Sequence, residues 1–159
     1  STSKRTNYEL FVAKTVLFGV INGEQYGANK AVADKDNNQV LLAMRVQELN
    51  SKNRKIILAG HFCIFNACDD VEVLPESVYP ALNITEIVLL EADVQDIISN
   101  LRHRDGKDYS EKSVTALIEK EREQSERISK QLKCPLYIYK MTFTDRDLNY
   151  VASLLCRGG

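Results

Sequence analysis

His61 follows directly on the run Lys55-Ile56-Ile57-Leu58-Ala59-Gly60. A cationic start, branched and long apolar residues and a small-small ending read as a buried parallel strand that closes in a tight turn. Ligands of open α/β sheets sit just outside such carboxyl ends. An imidazole there could contact a phosphate, orient a water or act as a base. It could equally be a histidine packed under the loop. Arg102 and Arg104 flank His103 at the end of a helical pattern. Guanidinium forks grip phosphoryl oxygens in pairs, and charge neutralisation is what phosphoryl transfer needs. The plainer reading is that they complement the helix C-terminal dipole. A third polar group, Asn29-Lys30-Ala31-Val32-Ala33-Asp34 with Asn38-Gln39, is dense in donors and acceptors that could read a base edge or a sugar. The plainer reading is a capped helix start.

The elements that must position these residues alternate. After the run at 55–59 come two more apolar runs, 86–90 and 135–139, each followed by a helical pattern, as in β-α-β units. Tyr8, Phe11 and Val12 have helical spacing, so residues 3–14 are expected as a helix and the apolar run 15–21 as a strand. Residues 22–30 read as a loop, and a helix starts near Asp36 or Asn37. Residues 66–74 read as irregular, and Pro75 opens a short helix. Asp93 and Ser110 stand as N-caps of two further helices, and Asp145 opens a last one. Within the second of these, the charged run 119–127 reads as a solvated face.

Bulk properties narrow the classes. The chain has 159 residues, 44% hydrophobic and 27% charged, which suits one globular domain. A formal net charge of −1 gives no field that would favour nucleic acid or an anionic membrane. No apolar run approaches the roughly 20 residues of a membrane span. Cys63 and Cys68 have four residues between them, and only His61 and His103 could join them, so no zinc set is complete. Cys63, Cys68, Cys134 and Cys156 are expected as buried free thiols of a reducing cytoplasm.

Together these pieces resemble the P-loop nucleoside and nucleotide kinases, in particular small adenylate-kinase-like ATP-binding proteins of bacteria. The resemblance spans roughly residues 1–140. It rests on the 29–39 tract, on Ile56-Ile57-Leu58-Ala59-Gly60-His61-Phe62, and on Leu101-Arg102-His103-Arg104-Asp105-Gly106-Lys107-Asp108-Tyr109. It implies a three-layer α/β/α domain with a mostly parallel sheet. It implies ATP and Mg²⁺, and phosphoryl transfer to a nucleoside, nucleotide or other small acceptor. His61 and Arg104 would then be catalytic. Arg102, Arg104, Ser1 and Thr2 would hold phosphate, and Lys30, Asn38, Gln39 and Gly60 would meet the acceptor.

Two departures stand beside the resemblance. The Gly-rich loop GxxxxGK[ST] is not in this sequence; Gly23 to Lys30 imitates it poorly. If residues 3–14 are the helix after that loop, Ser1-Thr2 stand where its closing Ser/Thr belongs, and the loop and its strand lie upstream of Ser1. Ala59 occupies the place where the family carries the Asp that holds the Mg²⁺ shell, and Asp69, Asp70 and Glu91 are the candidate substitutes. The rival reading is a non-catalytic module that binds a nucleotide or a protein partner. Self-assembly is left open, and no metal ligand is assigned. Only four strands are expected, near Val16, Ile57, Val88 and Tyr137, with a central position between the second and third left unfilled.

Overall fold

The computed structural model describes residues 8–12, 43–44, 46–49, 51–52, 55–77 and 79–157. Strand β1 (Tyr8–Val12) pairs in parallel with β2 (Lys55–Ala59), placing Leu10 opposite Ile57. Next come β3 (Cys63–Phe65) and β4 (Val71–Val73), an antiparallel hairpin. A 3₁₀ turn, Tyr79–Leu82, leads to β5 (Ile87–Glu91). Helices α1 (Val94–Asp105) and α2 (Glu111–Leu132) follow. Strand β6 (Leu136–Lys140) pairs in parallel with β5, and α3 (Asp145–Arg157) comes last. The fold is mixed α/β, with two parallel pairs and one antiparallel pair. No helix among the described residues is long and apolar enough to cross a membrane.

Three expectations need correction. Residues 8–12 form a strand, not a helix. Tyr, Phe and Val favour a pleated surface, and pairing with β2 outweighs a helical spacing carried by three residues. Residues 66–74 are not irregular throughout, because the chain turns back at Asn66. The Asn66 Oδ1 accepts from Cys68 N (2.8 Å) and Asp70 N (3.0 Å), an Asx turn, and Asp69 enters the left-handed region at φ 60°. The charged run 119–127 is not simply solvated, since Gln124 and Ser125 are buried. The strand expected at 15–21, the loop at 22–30 and the helix start at Asp36 or Asn37 lie outside the described residues. Helical backbone is present at 43–44, 46–49 and 51.

The helix ends are set by local chemistry. The Ser110 Oγ accepts from Ser113 N at 3.0 Å and caps α2. Asp93 caps α1 only by position, with no side-chain hydrogen bond. At α3, Asp147 accepts from Tyr139 Oη (2.8 Å), Thr142 N (2.9 Å), Thr142 Oγ1 (2.7 Å) and Phe143 N (2.7 Å). Burial opposes its ionisation, but these donors outweigh it and hold the carboxyl at about 2. This joins the end of β6 to the start of α3.

One core serves both parallel pairs. Ala43, Val46, Tyr79, Leu82, Ile87 and Ile128 form its centre, and Ile56 and Leu58 of β2 and Leu136 of β6 pack on it. Yet β2 and β5 are not hydrogen-bonded to each other. Ile87 and Leu89 point inward, whereas Val88 and Leu90 on the other face of β5 keep 37% and 49% of their surface open.

Ile128 projects from α2 into the centre of this core and is fully buried. Ile128→Ala should lower unfolding stability by about 2–5 kcal/mol, the transfer and cavity cost of a large aliphatic side chain. Urea melts of the two proteins check this. A loss under 1 kcal/mol would mean that the site collapses without a cavity.

Candidate functional site

Strand β2 delivers Gly60 and His61 to its carboxyl end, both exposed. There the chain turns into β3, and the turn is fixed from across the molecule by Glu121 of α2. The Glu121 Oε2 accepts from Phe62 N and its Oε1 from Cys63 N, both at 3.2 Å. The same Oε1 lies 3.4 Å from His61 Nδ1. Glu121 keeps only 15% of its side-chain surface open, while His61 keeps 74%. The carboxylate against Nδ1 raises the His61 pKa above its ordinary value of 6.5. Partial desolvation and the charge of Arg104 oppose it.

Helix α1 brings Arg102 and Arg104 to this end and then stops. Gly106 adopts φ 66°, and its N–H donates to Arg102 O at 2.8 Å, which closes the helix. Arg104 grips Asp105 with two parallel bonds, Nε to Oδ1 at 2.8 Å and Nη2 to Oδ2 at 2.7 Å. Arg102 pairs with Asp108, and Lys107 pairs with Asp69 on the β3–β4 turn. Tyr109 stacks on Phe65 of β3 at 5.0 Å. The loop 106–110 is thereby laid against the hairpin at the end that carries the β3–β4 turn. Both arginine side chains remain 63% exposed.

Arg102, Arg104 and Lys107 are each paired with an aspartate, and the site is poorly suited to a metal ion. Ala59 offers no ligand atom. Asp69 is engaged by Lys107, and Glu91 is gripped by Arg122, whose Nε donates to its Oε1 at 2.7 Å. Among the described residues no group of three His, Cys, Asp or Glu side chains could hold a metal ion. The cysteines are free thiols, but Cys68 and Cys156 are exposed rather than buried. Burial first, and then Glu121, pushes the Cys63 thiol up to about 11, which removes it as a nucleophile.

Of the residues singled out in the sequence, Gly60 and His61 lie at the carboxyl end of β2, and Arg102 and Arg104 lie in the last turn of α1. Ser1, Thr2, Lys30, Asn38 and Gln39 lie outside the described residues. Glu121 was missed. It continues the inward stripe Val114, Ile118, Ser125, Ile128, whose spacing of three and four was present in the sequence. Gln124 was missed for the same reason. No protein-family model matches the chain, and no curated protein matches it.

Gln124 is 4% exposed, and its Oε1 has no hydrogen-bond partner. An unsatisfied buried amide is a cost with no structural return. Gln124→Met removes it at similar volume and should raise stability by about 1 kcal/mol in chemical melts. A loss of stability would show that the amide is satisfied in solution.

Proposed function

We propose that this chain transfers a phosphoryl group from ATP to a nucleoside, nucleotide or other small acceptor, on a three-layer domain of the P-loop kinase type. One observation carries the reading: His61 stands at the carboxyl end of a parallel strand, in a turn held by Glu121, and the loop that leaves the arginine-bearing end of α1 is strapped to the hairpin that follows that turn. Ligands collect at such strand ends. Guanidinium and imidazolium groups neutralise charge on a transferring phosphoryl group.

The pairing of strands agrees with this fold. β1–β2 and β5–β6 are parallel pairs with one core, and a further parallel strand between β2 and β5 would join them into one sheet. Sheets of that kind are covered on both faces, which gives a reason for the open surface of Val88 and Leu90. In this reading the joining strand carries the phosphate loop, and it belongs to a segment outside the described residues. Lys30, Asn38 and Gln39 would then face the acceptor, and Ser1 and Thr2 the phosphates.

The arginines would act as a closing group. In the resting chain Arg104 is held by Asp105 in a bidentate pair whose carboxylate is only 17% exposed, and Arg102 by Asp108 in an exposed pair, which is weak. A phosphate oxygen can replace a carboxylate oxygen in the same fork geometry. Closure over the phosphates would exclude water and protect ATP from hydrolysis. The described side chains do not fit a Mg²⁺ site, so no step is assigned to the ion. Ala59 and the engagement of Glu91 favour a second reading, a domain that binds nucleotide without turnover. ATP binding with no phosphoryl transfer to any nucleoside or nucleotide would select it.

Arg104→Ala should weaken ATP binding to the full-length protein by about 1–3 kcal/mol, the scale of a charge-assisted pair of hydrogen bonds. Isothermal calorimetry measures this directly. Unchanged affinity would remove Arg104 from the phosphate site.

A further inference from the structure

Glu121 sits mid-way along α2, on the buried stripe between Ile118 and Ser125. A carboxylate on such a stripe is costly unless both oxygens find donors. Here both do, and the donors are unusual. Two are consecutive backbone N–H groups of the turn after β2, and the third contact is the imidazole of the residue just before them. A group needed only to fill the stripe could have been apolar. A group needed only to fasten the turn would not have to reach Nδ1 of an exposed histidine as well.

We propose that Glu121 is the positioning residue for His61: it keeps a proton on Nδ1, fixes the ring against the β2–β3 turn, and leaves Nε2 free to donate to a phosphoryl oxygen beside Arg104. This deepens the phosphoryl-transfer reading and rests on it for the identity of the ligand. The chemistry is that of a carboxylate–imidazole pair. With the proton secured on Nδ1, the neutral ring presents a bare Nε2 acceptor, and an anion meets a donor only when the ring is protonated. A carboxylate at 3.4 Å favours that protonated form. Two charged groups bear on the imidazole from the elements around it: Glu121 of α2, which favours the cation, and Arg104 of α1, which opposes it. An arriving phosphate would engage Arg104 and lessen that opposition, so phosphate binding and His61 protonation reinforce each other.

The sign of the pH dependence follows. The His61 pKa is raised in the folded chain. The ion pair with Glu121 is therefore fully present below the unfolded value near 6.5 and is lost as pH rises through the raised folded value. Phosphate affinity should fall across the same window.

The test has two arms on the full-length protein. The first is an NMR titration of His61, with His103→Gln to assign the second histidine resonance. Glu121→Gln keeps an oxygen for one backbone N–H but removes the charge, so the His61 pKa should fall below its value in the unaltered chain. An unchanged pKa overturns the proposal without touching the nucleotide-binding reading. The second arm measures inorganic pyrophosphate binding against pH. The unaltered protein should bind roughly tenfold more weakly above the His61 pKa than below it, the loss of one charge-assisted hydrogen bond. Glu121→Gln should move that fall to lower pH by the same shift seen for His61. His61→Gln, at an exposed position that leaves the Glu121 bonds to the turn intact, should abolish it, and this variant decides the matter if Glu121→Gln folds poorly. A pyrophosphate pH profile that ignores both substitutions overturns the role of His61. Absence of pyrophosphate binding at any pH overturns the phosphate reading itself, and with it this proposal.

Discussion

A single carboxylate joins the long helix to the carboxyl end of β2. Glu121 receives the N–H groups of Phe62 and Cys63 at 3.2 Å each. Those amides belong to the turn where a parallel strand becomes one arm of an antiparallel hairpin, and they have no ladder partner at that point. Without Glu121 two part-buried backbone donors would lose their acceptor, which is expensive. With it, β2, β3 and α2 hold a fixed relation. The hairpin then has a firm base, and the loop 106–110 has a firm hairpin to rest on through Phe65 and Asp69.

The same end of the molecule is electrostatically poised rather than spent. Arg102, Arg104 and Lys107 each have an aspartate partner. The Arg104–Asp105 pair is bidentate and its carboxylate is only 17% exposed, but the Arg102–Asp108 and Lys107–Asp69 pairs are open to water, where such pairs contribute about 0–1 kcal/mol. They hold the cations near one another at little cost and release them at little cost. The Glu121 contact is of the other kind: partly buried, shared among three donors and not readily exchanged. A rigid inner anchor with a loose outer ring of cations is a workable arrangement for capturing an anion and closing over it.

What the sequence made legible follows from which forces are local. β2, β5 and β6 could be read because buried parallel strands concentrate apolar residues into short runs. The starts of α1, α2 and α3 could be read because Asp93, Ser110 and Asp145 are capping types. Tyr8 to Val12 misled because five residues fit two periods, and the deciding factor, pairing with Lys55–Ala59, is remote in the chain. The β3–β4 hairpin is only three residues per arm, held by an Asx turn and by Glu121 rather than by its own pattern. Among site residues, His61 and Arg104 were visible by type and place. Glu121 was hidden inside a charged run, where an acid that faces inward has the same letter as one that faces water. Only the phase of the stripe from Val114 to Ile128 distinguishes it.

The central claim is that the Glu121 carboxylate holds the turn at Phe62 and Cys63. Residue-resolved amide hydrogen exchange on the full-length protein tests it most directly. The account predicts slow exchange at Phe62 and Cys63, comparable with neighbouring strand amides, and a selective loss of that protection at these two positions in Glu121→Ala while amides of β5 and α3 stay protected. Rapid exchange at both amides in the unaltered chain, or protection that survives the substitution, would contradict it.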